Sequence, residues 1–170
     1  SKIRPYTESE IIMAKKKRKV NTQPLWWFLF VVYCGVMLWL LFGRSQGWAE
    51  GLTYQQMLER NINLIPLRTI RDYWNVVFYR TNDAYLIHCF INLAGNVLLF
   101  IPAGWMLPKV FPFQRNFFRS IASCTGLILL VETLQLFTLL GSFDIDDVIL
   151  NLIGMILGFI VYHIDAARKR

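Results

Sequence analysis

A chain of 170 residues that is 55% hydrophobic and only 17% charged is too apolar for an ordinary soluble domain. Its formal net charge of +7 is gathered mostly into short basic runs outside the apolar stretches. That distribution argues against a nucleic-acid-binding domain and for a membrane protein whose flanks are basic.

Residues 1–23 are a basic tail, expected to be cytoplasmic. Residues 1–12, ahead of Met13, are polar and unpatterned, the composition of a tag or a loose tail. The run Lys15–Lys19 followed by Val20 has the look of a nuclear-localisation signal. A few residues before an apolar stretch, it is more simply the positive flank of a membrane helix. Pro24–Gly43 holds no charged residue and is about the 20 residues that cross a hydrocarbon core. It is too long for the h-region of a secretory signal, and Leu41-Phe42-Gly43-Arg44 offers no small-x-small cleavage site. A retained helix is expected.

The connection from Arg44 to Asp83 is long enough to have structure of its own. Thr53–Asn61 reads as a short helix with Thr53 as N-cap and Gln56 completing a capping box. Pro66 prevents regular helix through the apolar Asn63–Leu67 segment. Thr69–Tyr79 mixes Ile70, Tyr73, Trp74, Val77 and Phe78 with Arg71 and Asp72, the pattern of an amphipathic helix at the outer headgroup level. The whole segment is expected to lid one end of a bundle.

Three further apolar blocks follow, which with the first give spans near 24–43, 84–107, 118–141 and 146–164, and then a basic tail, 165–170. Pro102, Gly104 and Pro108 are expected to kink or end the second span near its inner end. The fold class is an all-α membrane protein, a bundle of four transmembrane helices with an irregular, amphipathic extracellular loop between the first two. No sheet is needed. Cys34, Cys89 and Cys124 all fall in apolar spans and read as packing residues.

Polar residues inside these blocks are the functional lead, because a charge or amide in a bilayer costs several kcal/mol unless it faces a partner or a wet cavity. His88, Asn92 and Asn96 are spaced i, i+4, i+8 on the second span. Glu132 and Gln135 share a face of the third. Asp147, Asn151, Gly154 and Gly158 form one stripe on the fourth. The bland readings are helix glue for the asparagines, close packing for the glycine pair, and helix capping for Asp144, Asp146 and Asp147. Glu132 resists the bland reading, since glutamine or serine would glue helices without an ionisable group. It is the candidate for function.

With the N-terminus inside, 13 of the 18 basic residues lie on inner segments, so N-in, C-in is the orientation expected. It places the polar residues in the outer half of the membrane, opening outward.

These residues resemble the VanZ-like family of bacterial membrane proteins. The resemblance rests on Asn63-Leu-Ile-Pro-Leu-Arg-Thr-Ile, on Asn92-Leu-Ala-Gly-Asn-Val-Leu-Leu-Phe-Ile-Pro-Ala-Gly104, on Glu132-Thr-Leu-Gln135, and on Phe143-Asp-Ile-Asp-Asp-Val-Ile-Leu-Asn-Leu-Ile-Gly154. Many members carry an arginine just before the Phe-Asp-Ile segment, where this chain has Gly141-Ser142; an anion-pairing role is lost here or passes to Arg68 or Arg71. Leu67 stands where the family often has phenylalanine. The resemblance implies a bacterial cell-membrane protein and a part in resistance to teicoplanin, a glycopeptide with a lipid tail.

The leading expectation is a non-enzymatic binding protein that holds a lipid-linked cell-wall precursor or a lipoglycopeptide at an outer-leaflet pocket. Asn92, Asn96, Glu132, Gln135, Asp147, Asn151, His88 and Arg68 would be its ligand-binding residues. Membrane lipid is the other expected partner, and no cofactor, metal or nucleic acid is called for. The alternative is an intramembrane enzyme on a lipid-linked envelope substrate, with Glu132 as general acid or base and His88 or Asp147 beside it. No nucleophile motif supports it. A transporter is third, because four helices without an inverted repeat are few for alternating access.

Overall fold

The computed structural model describes residues 22–43, 51–79 and 83–168, with the side chains of residue 76, residues 83–86 and residues 88–89 left aside. The basic tails and the start of the long connection therefore lie outside the described residues. The elements in chain order are α1 (Gln23–Phe42), α2 (Tyr54–Arg60), β1 (Ile62–Asn63), α3 (Arg68–Tyr79), α4 (Asp83–Val110), a 3-10 turn (Pro112–Arg115), α5 (Phe117–Thr138), β2 (Phe143–Asp144) and α6 (Ile145–Arg168). Four of these helices are long and apolar enough to cross a membrane: α1, α4 over Phe90–Val110, α5 and α6. The molecule is an all-α membrane bundle.

Three sequence expectations meet their local physics. Thr53 caps α2, and its side chain and that of Gln56 close a reciprocal capping box. The amphipathic helix α3 begins at Arg68, just past the Pro66-Leu67 turn. The second span differs: α4 contains both Pro102 and Pro108 and runs on to Val110. The prolines lack the amides that would bond Leu98 O and Gly104 O, and the helix continues through both; side chains from outside it serve other α4 carbonyls, mainly those of its last turn. Tyr33 Oη donates to Leu99 O at 2.7 Å, Arg115 Nε to Pro108 O at 3.3 Å, and Gln23 Nε2 to Lys109 O and Val110 O at 3.1 and 3.2 Å.

The spine of the bundle is the contact of α4 with α6. A Cβ built at Gly154 would fall on the carbonyl oxygen of Val97, and one at Gly158 on that of Ile101. From the other side, a Cβ at Gly104 would fall on the carbonyl of Met155. The two backbones therefore touch along about two turns, as small residues allow in a membrane. Gly104 is thus a packing residue as much as part of a helix-breaking cluster. Around this seam Phe100, Ala103, Ile128 and Val148 join Met37 of α1 in the core, and Cys124, Met155 and Phe159 form a second buried group.

The far end of the bundle is fastened by Lys109, whose Nζ lies 2.6 Å from Asp165 and over the rings of Trp26 and Trp105 at 4.1 and 3.7 Å. At the near end a two-residue parallel ladder, which the sequence does not announce, pairs Ile62 with Phe143 and Asn63 with Asp144.

The close seam makes a direct prediction. Gly154→Leu should lower the thermal midpoint of the purified protein, through a destabilisation at least that of ordinary overpacking, about 1–3 kcal/mol. Gly35→Ala, where nothing lies within 4 Å of the added carbon, should leave it unchanged. Equal midpoints for both variants would refute the seam.

Candidate functional site: a buried acidic cluster at one end of the bundle

Four acidic residues lie where α5 ends and α6 begins, and each has a different set of partners. Asp144 accepts from Asn63 Nδ2 at 3.0 Å, Thr69 Oγ1 at 2.6 Å and its own neighbour Asp146 N at 2.9 Å. Asp146 is fully buried (0% exposed), yet its carboxylate does not serve its own helix. It accepts from Leu67 N at 2.5 Å and Ile70 N at 3.2 Å, so it caps α3 from across the chain. Of the three acids read as caps of the last helix, only Asp144 fills that role directly.

These bonds hold the 61–70 turn against the bundle. Phe143 N donates to Asn61 O at 2.8 Å, and Asn63 Nδ2 also reaches Thr69 Oγ1 at 3.1 Å. Leu67, at the centre, has φ +63°, a left-handed conformation that costs a non-glycine residue on the order of 1–2 kcal/mol. The carboxylate of Asp146 on its amide holds it there. Tyr54 Oη donates to Phe137 O at 2.8 Å and fixes α2 to the same end.

The other two acids have fewer partners. Glu132 is 4% exposed, and its hydrogen bond among the described residues is a 3.4 Å contact from Asp144 N. Asp147 accepts from Asn96 Nδ2 across the α4–α6 seam. Asp146 and Asp147 lie in the first turn of α6 with Asp144 just ahead of it, and Glu132 reaches this turn through the Asp144 amide. One turn further along α6, Asn151 is 4% exposed, and its Oδ1 has no hydrogen-bond donor among the described residues.

Glu132, Asp147, Asn96 and Asn151 are thus gathered on facing helices. Asn92 is half-buried on α4, one turn from Asn96. Gln135 turns elsewhere: its Nε2 donates to Leu41 O at 2.8 Å and ties α5 to the end of α1. Arg68 is exposed at the start of α3. The side chain of His88 lies outside the described residues. Asn63 and Thr69 escaped the sequence reading. Their signal was present, since both fall in the first resembling segment, but nothing local reveals that their partner is Asp144. Among the described residues, no three His, Cys, Asp or Glu side chains converge as metal ligands do.

Fold and site together define a small membrane bundle with a lidded, acidic polar centre. The family model described as VanZ/LLP1 matches residues 30–165. Protein VanZ of Enterococcus faecium is 30% identical over 135 residues, covering 79% of this chain and 71% of that protein. No solved structure matches. The chain belongs to the VanZ/LLP1 family.

Removing the Asp146 carboxylate should loosen the lid. Asp146→Ala leaves the amides of Leu67 and Ile70 without their acceptor, at a cost of about 1–3 kcal/mol. Hydrogen exchange in detergent should then accelerate over residues 61–70 while α4 and α6 stay protected. Unchanged exchange in that segment would show that the cap does not hold it.

Proposed function

We propose that this VanZ-like membrane protein contributes to resistance against lipoglycopeptides of the teicoplanin type by binding a lipid-linked or lipid-tailed ligand at the acidic centre. The observation that carries this reading is Glu132, a carboxyl 96% buried within a membrane-crossing helix and held by one long hydrogen bond. A buried carboxyl kept for stability alone would be surrounded by donors, as Asp144 and Asp146 are. Glu132 is not, and it stands beside Asp147 at the lidded end.

The orientation we propose puts both termini in the cytoplasm of a bacterial cell, as the bias of Lys and Arg favours. The lid then faces outward, where a drug or a lipid-linked wall precursor would meet it. A second reading, an intramembrane enzyme, draws on Glu132 and Asp147, two carboxyls on different helices at the same end of the bundle that would serve as acid and base on a lipid-linked substrate.

Expression in a sensitive Gram-positive host should raise the inhibitory concentration of teicoplanin more than that of vancomycin, and Glu132→Gln should abolish the rise. Equal protection against both drugs would remove the lipid tail from the proposal. Turnover of lipid-linked wall precursors by the purified protein would move the assignment to the enzyme.

A further inference from the structure

The hydrogen bonds of the acidic centre are unequally distributed, and the inequality says what its ligand must supply. Asp144 and Asp146 are answered by five donors between them: Asn63 Nδ2, Thr69 Oγ1 and the amides of residues 146, 67 and 70. These two acids are spent on holding the lid. Glu132 has a single amide at 3.4 Å, and Asp147 has the carboxamide of Asn96. Asn151 Oδ1 has no donor at all among the described residues.

Geometry places the three acceptors together. Asp147 and Asn151 are i and i+4 on α6, one above the other on the face that meets α4. The Cα–Cβ bond of a helical residue tilts toward the helix N-terminus, so the Asn151 side chain leans back toward Asp147. Glu132 enters from α5 and accepts from the amide of Asp144, the residue just ahead of the first turn of α6 that carries Asp147. Glu132 and Asn151 are buried and Asp147 half-buried; an unanswered acceptor in such a place costs about 1–3 kcal/mol for a neutral group and more for a charged one. The ion pair found among the described residues, Lys109 with Asp165, belongs to the opposite end of the bundle.

We infer that the polar centre formed by Glu132, Asp147 and Asn151 receives a cationic hydrogen-bond donor, a protonated primary amine on a lipid-tailed molecule. An ammonium group brings three donors and one positive charge, which matches three acceptors and an acidic field. A phosphate at the same place would meet two carboxyl groups, with the asparagine amides as its few donors. The inference rests on the binding reading above and specifies the group that is bound there.

The test uses the full chain in detergent and two probes with the same tail: hexadecylamine, a cation with three donors, and its N-acetyl derivative, a neutral amide with one. Hexadecylamine should raise the thermal midpoint saturably, because a ligand bound only by the folded state stabilises it. The acetylated probe should not. Glu132→Gln should weaken the amine by on the order of tenfold or more. Asn151→Leu, which removes the unanswered acceptor at similar volume, should weaken amine binding while leaving the unliganded midpoint unchanged or higher. That combination is not expected of a residue with a merely structural role.

Equal stabilisation by both probes, lost in Glu132→Gln, would overturn the cationic assignment and leave the binding of a lipid tail standing. Amine binding that survives both substitutions would place the amine elsewhere and overturn the inference too. Absence of any amine effect on the wild type would also overturn it, while teicoplanin protection in cells decides the broader reading separately.

Discussion

The contact of backbone on backbone between α4 and α6 is the constraint on which the polar centre depends. In a bilayer there is no hydrophobic force to drive helices together, since lipid tails are as apolar as leucine. Close packing of small residues supplies the attraction instead. Gly104, Gly154 and Gly158 remove the side chains that would hold the axes apart. One consequence is chemical: with the seam this tight, Asn96 reaches Asp147 directly. Axes held a methyl group's width further apart would lengthen that bond, and Asp147 would lose the partner it has among the described side chains.

The lid follows from the same geometry. Once α6 is fixed against α4, the acids at its first turn cannot move, and the 61–70 turn must come to them. Asp146 caps α3, Asp144 gathers Asn63 and Thr69, and a short parallel ladder aligns the strands between. Charge in a buried place is tolerated when donors surround it. That rule separates the acids into two that anchor a loop and two that do not.

Much of this architecture was legible in the sequence, for reasons that are local. Charge-free runs of helix-spanning length announce membrane helices without any knowledge of their neighbours. The Thr53–Gln56 box and the amphipathic α3 are written in spacings of three and four residues. What stayed hidden depends on contacts distant in the chain. Nothing near Asp146 says that its carboxylate will cap a helix 76 residues earlier. Gly104, flanked by Pro102 and Pro108, carries the mark of a helix end, and only the position of Met155 shows that it is a packing surface. Gln135 shares a helix face with Glu132 in sequence, yet its amide is drawn to Leu41 O, an acceptor that only the tertiary fold brings near.

The distinction between anchoring and unanswered carboxyls bears on why Glu132 is an acid at all. Its neighbour Asp144 N needs an acceptor, and a glutamine oxygen would provide one. A glutamine would also bring an NH2 group, which could donate to Asp147 and quiet the local repulsion. The acid forgoes that gain. Glu132 and Asp147 put two carboxyl groups at the same end of the bundle, with Asn151 Oδ1 unpartnered one turn further along α6, an arrangement that favours a cationic donor able to enter. The lid above is anchored through the carboxylates of Asp144 and Asp146, and Glu132 touches that anchor only at the Asp144 amide, so a ligand at Glu132 and Asp147 leaves the bonds to Asn63, Thr69, Leu67 and Ile70 in place.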